Sequence, residues 1–167
     1  PVGINNNFYT SLIATLKNKG HRVFFDSSGD AFKLAVGEAP FLVKPNIDEL
    51  SEWWGKPLTT LDDKKQAADQ LMALGIKHVL LSEGEQGVLW FNKQQTIQIN
   101  TPSVQLKSTV GAGDTLLASF VFALKHYAND PCKQLTFAVA SAAYSVTEQG
   151  VSHLGLQPIN KLMKQCE

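Results

Sequence analysis

The stretch HRVFFDSSGDAFKLAVGEAPFLVKPNIDELSEWWG, residues 21–55, decides the fold because it alternates short apolar runs with helix-forming segments. The runs at 21–29 and 40–46 are apolar and end in polar residues, which predicts two buried strands. DAFKLAVGEA between them predicts one or two helical turns, and IDELSEWWGK predicts a helix with Asn46 as its N-cap. This alternation favours a parallel α/β sheet with helices on its faces.

The rest of the chain continues the alternation. Residues 5–20 and 61–75 have apolar residues at helical spacing and each segment ends at a glycine, whereas 76–84 predicts a third strand. The segments GVLWFNK and QTIQIN, joined by polar residues, predict a β-hairpin. Three further helices are predicted over 108–124, 132–150 and 159–167.

Composition excludes several classes of partner. The 167 residues suit one domain, and 44% hydrophobic with 18% charged residues is typical of a soluble globular protein. Fifteen basic residues balance fifteen acidic ones, so there is no electrostatic argument for nucleic acid or an anionic membrane. No apolar run approaches the length of a membrane span. Cys132 and Cys166 form neither a disulfide framework nor a metal-ligand pattern, which favours a reduced, cytoplasmic protein.

Polar side chains stand at the predicted ends of three strands. DSSG begins at Asp26, KPN at Lys44 and SEGEQG at Ser82. The carboxyl ends of parallel strands meet at one edge of a sheet, where ligands bind. We therefore expect these three ends to lie together, with the glycine-rich turn at 111–113 reaching the same edge.

The segment TVGAGD (109–114) combines an anion site with a carboxylate. Backbone N–H groups at a helix start lack partners and the helix dipole favours negative charge there, while Gly111, Ala112 and Gly113 carry at most a methyl group. A structural N-cap does not need the glycines, and a phosphate cradle does not need Asp114. Both together suit phosphoryl transfer, in which a base takes a hydroxyl proton while amides hold the phosphoryl group. A capped, closely packed core helix is the alternative interpretation.

Two further segments each allow a structural and a functional interpretation. SEGEQG is either a plain turn between strands or a loop that holds nucleotide phosphate or ribose through its amides and the Ser82 hydroxyl. In KPNIDEL, Asn46 and Glu49 have the spacing of a capping box. In the functional interpretation they hold the water shell of Mg²⁺, with Lys44 beside phosphate oxygens. No Walker A sequence is present, and no GxGxxG follows a strand.

These segments together resemble the ribokinase/PfkB family of carbohydrate kinases. STVGAGD is similar to that family's C-terminal signature, KPNIDEL to its N-x-x-E motif, SEGEQG to its S-x-G-x-x-G nucleotide loop, and FFDSSGDAF to its D-x-S-G segment. The motifs stand in the family's order, and their forms resemble its phosphosugar branch. The resemblance implies a ribokinase-like three-layer α/β/α sandwich, with a mostly parallel sheet and a β-hairpin.

The resemblance also implies roles for individual residues. It makes Asp114 the general base that deprotonates the acceptor hydroxyl, and the segment 111–113 the anion hole. It makes Asn46 and Glu49 the residues that organise Mg²⁺ indirectly, through water. The residues implied to bind ATP are Lys44, Ser82, Glu83, Gly84, Glu85, Gln86, Gly87, Ser108, Gly113, Ala142 and Ser145.

The activity implied is ATP-dependent phosphorylation of fructose 1-phosphate to fructose 1,6-bisphosphate. Tagatose 6-phosphate and fructose 6-phosphate are the alternative acceptors, and a non-catalytic nucleotide-binding regulatory protein is the alternative of another class. Two departures from the family pattern bear on this implication. Ser108 stands where the signature often begins with Asp, and the chain matches only the C-terminal half of the family's length.

In the family that the sequence resembles, the other half normally carries the β lid, which also makes the dimer, and the residues that grip the sugar. Residues 1–167 are therefore expected to be the C-terminal, nucleotide-binding part of a kinase domain. We expect this part to be inactive alone and homodimeric in its full-length parent. Its expected partners are a sugar phosphate and ATP, and neither nucleic acid nor a membrane.

Overall fold

The computed structural model describes residues 5, 7–149 and 155–166. Their helices follow the predicted segments, with shorter bounds at most ends. The helices are α1 (Phe8–Asn18), α2 (Gly29–Ala35), α3 (Ile47–Trp54), α4 (Leu61–Ala73), α5 (Ala112–His126), α6 (Pro131–Ser145) and α7 (Leu156–Met163), with short 3₁₀ turns at Val36–Glu38 and Gly84–Gln86.

The strands form one sheet in the order β1-β2-β3-β4-β5. Their bounds are β1 (Phe24–Phe25), β2 (Leu42–Val43), β3 (His78–Ser82), β4 (Val88–Asn92) and β5 (Thr96–Ile99). β1 pairs in parallel with β2, and β2 in parallel with β3. The connections from β3 to β4 and from β4 to β5 are too short for parallel crossovers, which need a dozen or more residues. The predicted α/β class with a parallel sheet and a hairpin is therefore confirmed.

β1 and β2 are only two residues long, shorter than the apolar runs that predicted them. Pro40 and Pro45 bracket β2, and proline has no N–H to donate to a sheet. Helix α3 then begins at once, because Asn46, the residue after Pro45, is its N-cap. Because β1 and β2 are short, the polar residues that follow them, Asp26 and Lys44, lie close to the edge of the sheet.

The chain divides into two compact units. The first comprises the described residues of Pro1–Ser82 with Trp90–Thr96, and the second those of Glu83–Leu89 with Ile97–Glu167. In the first unit, Leu42 and Val43 are fully buried. In the second, helices α5, α6 and α7 enclose a small core whose buried members are Ala123, Phe137, Ala140 and Ile159.

Within the described residues, no helix combines the length and apolarity that crossing a bilayer requires.

Three rings of the first unit, those of Phe41, His78 and Trp90, contact one another in series. The His78 ring lies between those of Phe41 and Trp90 and is tilted against both, with ring centroids 4.9 and 5.6 Å away, and the Arg22 guanidinium lies 4.9 Å from the centroid of the Phe41 ring. The Trp90 indole N–H donates to His78 Nδ1 at 3.1 Å, so that nitrogen is an acceptor. Burial, helped by the charge of Arg22, lowers the pKa of His78 from 6.5 to about 4.

Acidification is therefore expected to destabilise the fold through His78. Because its pKa is lower in the folded chain, the unfolded chain takes up the proton first as the pH falls. The stabilisation is complete above about pH 6.5 and is lost as the pH approaches about 4. We expect about 2 kcal/mol of unfolding free energy to be lost over this window, a value discounted for partial exposure of the ring. Urea unfolding at a series of pH values measures it.

His78→Gln keeps an acceptor for the indole N–H but does not titrate, so its unfolding free energy should change less over the same window. His21→Gln is the matched control, since His21 is exposed, and it should follow the wild-type curve. Parallel curves for the wild type and His78→Gln would contradict the prediction.

Candidate active site

The polar ends of β1, β2 and β3 meet at one edge of the first unit. The Lys44 N–H donates to the carbonyl of Phe25 at 3.2 Å, and the Ser82 N–H donates to the carbonyl of Pro45 at 3.1 Å. Asn46 and Ser82 form an isolated parallel bridge beyond the strands. The expectation that the three strand ends lie together is confirmed.

Lys44 is paired with Asp26 across the ends of β1 and β2. Lys44 Nζ lies 3.0 Å from Asp26 Oδ2, and the two side chains are 7% and 26% exposed. The sequence assigned Lys44 to phosphate but gave it no partner. The sequence placed Asp26 at this edge but did not predict its ion pair with Lys44, although an acid and a base at neighbouring parallel strand ends were a usable signal. The carboxylate of Asp26 thus already neutralises part of the positive charge that the Lys44 ammonium could offer to a ligand.

Asp26→Asn should leave the buried Lys44 ammonium without a counter-charge. Breaking a buried ion pair from one side costs about 3–5 kcal/mol, and the partial exposure of Asp26 reduces this to about 2–3 kcal/mol. Urea unfolding at neutral pH measures the loss. Asp69→Asn is the matched control, because it breaks the exposed Lys65–Asp69 pair of α4 and should cost less than about 0.5 kcal/mol. Equal losses in the two variants would contradict the importance of the Asp26–Lys44 pair.

Asn46 and Glu49 form the capping box that starts α3. The Glu49 N–H donates to Asn46 Oδ1 at 2.8 Å, and the Asn46 N–H donates to Glu49 Oε2 at 2.9 Å. The structural interpretation of this motif is thus confirmed. It uses one carboxylate oxygen of Glu49 and leaves Oε1 outside the box. Among the described residues, no three or more His, Cys, Asp or Glu side chains are grouped so that they could hold a metal ion.

The predicted nucleotide loop, residues 82–87, contains a 3₁₀ turn at Gly84–Gln86. In the second unit, the Glu83 N–H donates to the carbonyl of Gly87 at 2.9 Å, and the Gln86 N–H donates back to the carbonyl of Glu83 at 3.2 Å. Gly87 has φ +108°, and a Cβ there would lie 2.1 Å from the carbonyl oxygen of Ile99. Only glycine fits this position, so the loop is fixed against the end of β5.

Helix α5 starts from a left-handed glycine. Gly111 is its N-cap, with φ +81° and ψ 0°, and a Cβ there would meet nothing within 4 Å. The Ala112 N–H donates to the carbonyl of Thr109 at 3.3 Å, and the Thr115 N–H donates to the carbonyl of Gly111 at 2.8 Å. Of the three predicted anion-hole amides, that of Ala112 therefore already has a long hydrogen bond within the turn. Asp114 lies in the first turn of α5 and is exposed.

The end of α6 lies beside the segment that leads to this turn. The Lys107 and Ser108 amides donate to the carbonyl of Val146 at 2.7 and 3.2 Å. The Ser145 hydroxyl donates to the carbonyl of Ala142 at 2.8 Å, within its own helix. The structure thus places Ser108 next to the helix end that carries Ala142 and Ser145.

The predicted site residues fall into both units. Lys44, Asn46, Glu49 and Ser82 belong to the first unit, and the remaining residues belong to the second. Thr101, which sequence reasoning did not single out, also belongs to the second unit, and its hydroxyl donates to the carbonyl of Gly84 at 3.1 Å. Nothing in the sequence marks Thr101, because its partner lies on a separate segment.

The chain is similar over most of its length to known sugar and sugar-phosphate kinases. The family model described as pfkB family carbohydrate kinase matches residues 1–157. A 1-phosphofructokinase of Vibrio cholerae is 38% identical over 167 residues, which are 100% of this chain and 52% of that protein. The chain thus spans about half the length of the curated relatives it matches.

Solved structures agree with this similarity. Phosphofructokinase-2 from Escherichia coli in complex with fructose-6-phosphate has a TM-score of 0.86 at 29% identity, over 98% of this chain and 52% of that one. Ribokinase of Arabidopsis thaliana complexed with ribose and ATP has a TM-score of 0.81 at 28% identity, over 96% of this chain and 53% of that one. The predicted ribokinase-like fold class is confirmed.

Proposed function

Because the chain belongs to the pfkB family of carbohydrate kinases, we propose that its 167 residues form the C-terminal, nucleotide-binding part of a kinase domain. The whole protein transfers the terminal phosphoryl group of ATP to fructose 1-phosphate. The products are fructose 1,6-bisphosphate and ADP.

The exposed carboxylate of Asp114 in the first turn of α5 is the observation that carries the proposal. A helix start attracts anions through its N–H groups and its dipole. A module that only binds phosphate would lose affinity from a carboxylate at that place, since like charges repel. A kinase needs both groups, because its acceptor hydroxyl must lose a proton while the phosphoryl group is held.

In the proposed reaction the acceptor hydroxyl oxygen bonds to the γ-phosphorus as the bond from that phosphorus to the bridging oxygen of ATP breaks. Asp114 accepts the hydroxyl proton. ADP leaves with the bridging oxygen and the electron pair of the broken bond. The amides at the start of α5 stabilise the charge on the transferring group, and the open space at the Cβ position of Gly111 supports this role.

ATP is proposed to contact the nucleotide loop and the strand ends. The Lys44 ammonium attracts phosphate oxygens, and its ion pair with Asp26 weakens this attraction. Asn46 and Glu49 hold Mg²⁺ through water, which suits the one carboxylate oxygen that the capping box leaves. When bound, Mg²⁺ neutralises charge on the phosphates. Ser108, Ala142 and Ser145 complete the proposed ATP contacts in the second unit.

Fructose 1-phosphate is proposed as the acceptor because the Vibrio cholerae relative, at 38% identity, is a 1-phosphofructokinase. Fructose 6-phosphate is the second candidate, since the similar Escherichia coli phosphofructokinase-2 is known in complex with that sugar phosphate. Both reactions use the same base and the same anion site. They differ in the part of the protein that grips the sugar.

A coupled assay of ADP release tests the proposal. The full-length gene product is assayed with ATP, Mg²⁺ and each of fructose 1-phosphate, fructose 6-phosphate and tagatose 6-phosphate. We expect kcat/KM for fructose 1-phosphate to exceed the values for the other two sugar phosphates by about tenfold or more. A site that binds a phosphate at one position of the sugar loses those contacts when the phosphate is at another position, which readily gives this discrimination. The 167-residue chain is assayed in parallel and is expected to show no turnover above the buffer rate.

A higher kcat/KM for fructose 6-phosphate would select the second candidate. If calorimetry shows that the protein binds ATP but no ADP is released with any of the three sugar phosphates, kinase activity is contradicted. The result then favours a nucleotide-binding regulator.

A further inference from the structure

We propose that Thr101 is a positioning residue for ATP: its hydroxyl holds the carbonyl of Gly84 and thereby fixes the middle of the nucleotide loop. The inference rests on the proposed function, in which that loop contacts ATP, and it adds a residue outside every motif.

The loop is held at two places. Gly87 is wedged against the end of β5, where a Cβ would lie 2.1 Å from the carbonyl oxygen of Ile99. Gly84 lies in the exposed middle of the loop, has φ +60° and has no atom close to its Cβ position. The Thr101 hydroxyl, 3.1 Å from the Gly84 carbonyl oxygen, is a tie across 17 residues of chain. Without it, Gly84 is held by the turn's own hydrogen bonds.

The hydroxyl of Thr101 is held in place before any ligand arrives. Thr101 precedes Pro102, which is buried, and a residue before proline is restricted to extended backbone. Threonine is also branched at Cβ, so few side-chain rotamers are open to it. Thr101 itself is half-buried. A preset donor restricts the loop in the free protein, so less ordering is needed when ATP binds.

Thr101→Val removes the donor and keeps the shape of the side chain. In the full-length gene product we expect KM for ATP to rise about 3- to 10-fold, the effect of one net hydrogen bond. The KM for fructose 1-phosphate and kcat should stay within about twofold, because neither the sugar nor Asp114 touches the loop in the proposed arrangement. Thr101→Ser keeps the hydroxyl and should return KM for ATP close to the wild-type value.

Thr15→Val is the matched control. Thr15 also donates its hydroxyl to a backbone carbonyl, that of Ser11 at 2.8 Å, but it lies on α1 in the first unit. Its KM for ATP should equal that of the wild type. A Thr101→Val variant with unchanged KM for ATP, or one in which kcat falls while KM does not, would overturn the inference. The second result is what partial unfolding produces.

Amide hydrogen exchange separates this inference from the proposed function. In Thr101→Val, the amides of residues 83–87 should exchange about 3- to 10-fold faster than in the wild type, whether or not the protein turns over a sugar. A protein without kinase activity but with faster loop exchange would refute the proposed function and leave the tie in place. Unchanged exchange together with normal kinase activity would refute the tie alone.

Discussion

Asp114→Asn is expected to lower kcat of the full-length gene product by about 10²-fold or more, because the acceptor hydroxyl would lose its proposed general base. The substitution keeps the size of the side chain and removes only its charge and its ability to accept a proton. Asp114 is exposed in the first turn of α5, so the helix should lose no more than about 1 kcal/mol of stability. KM for ATP should stay equal or fall, since a negative charge near the phosphates is gone.

Asp62→Asn is the matched control for this experiment. Asp62 also lies in the first turn of a helix, α4, and is exposed, so its loss has a similar effect on a helix dipole. Steady-state kinetics with fructose 1-phosphate should show wild-type kcat for this variant. A kcat within about threefold of the wild type in Asp114→Asn would show that Asp114 is not the base. Thermal unfolding of both variants confirms that equal amounts of folded protein are compared.

Gly87→Ala is expected to lower the free energy of unfolding by about 3 kcal/mol or more. The new Cβ would lie 2.1 Å from the carbonyl oxygen of Ile99 and 2.8 Å from the Cα of Asn100, both of them backbone atoms that cannot swing aside. The backbone of Gly87, with φ 108° and ψ −147°, is also one that essentially only glycine adopts. The nucleotide loop must therefore move, and binding of ATP should weaken with it. Urea unfolding and KM for ATP measure the two effects.

Two other glycines separate the clash from the backbone cost. Gly84→Ala meets nothing within 4 Å but has φ +60°, so it should cost only about 1–2 kcal/mol. Gly37→Ala also meets nothing and has no positive φ, so it should change stability by less than about 0.5 kcal/mol. If Gly87→Ala lowered the free energy of unfolding no more than Gly84→Ala, the close approach of Gly87 to the end of β5 would contribute nothing to the loss of stability.

The order of elements followed from the sequence because each signal is local. Apolar runs flanked by polar residues gave the strands, and apolar residues at helical spacing gave the helices. The capping box of Asn46 and Glu49 was likewise predicted, since both partners lie within one helical turn and the bonds need only that turn to form. The meeting of the strand ends at Asp26, Lys44 and Ser82 also followed, because parallel strands present their carboxyl ends on one edge.

Asp114 and the glycines around it were found from the sequence for the same reason. Their proposed chemistry depends on the start of a helix. The pattern of residues 108–124 predicts that helix start without reference to residues distant in the sequence. Their roles in catalysis stay predictions until the variants are measured. The length of β2 was not predicted as well, because proline at both of its ends stops a sheet that apolar residues alone would extend.

The sequence by itself thus determined the alternation of strands and helices, the caps and the candidate base, all of which depend on neighbours within a few residues. Only the tertiary structure decided that Lys44 is paired with Asp26 and that Thr101 ties the predicted nucleotide loop. The ion pair and the Thr101 tie join segments that are remote in sequence. Such pairs form when the backbone brings a donor within about 3 Å of an acceptor, and residue type alone cannot specify that distance.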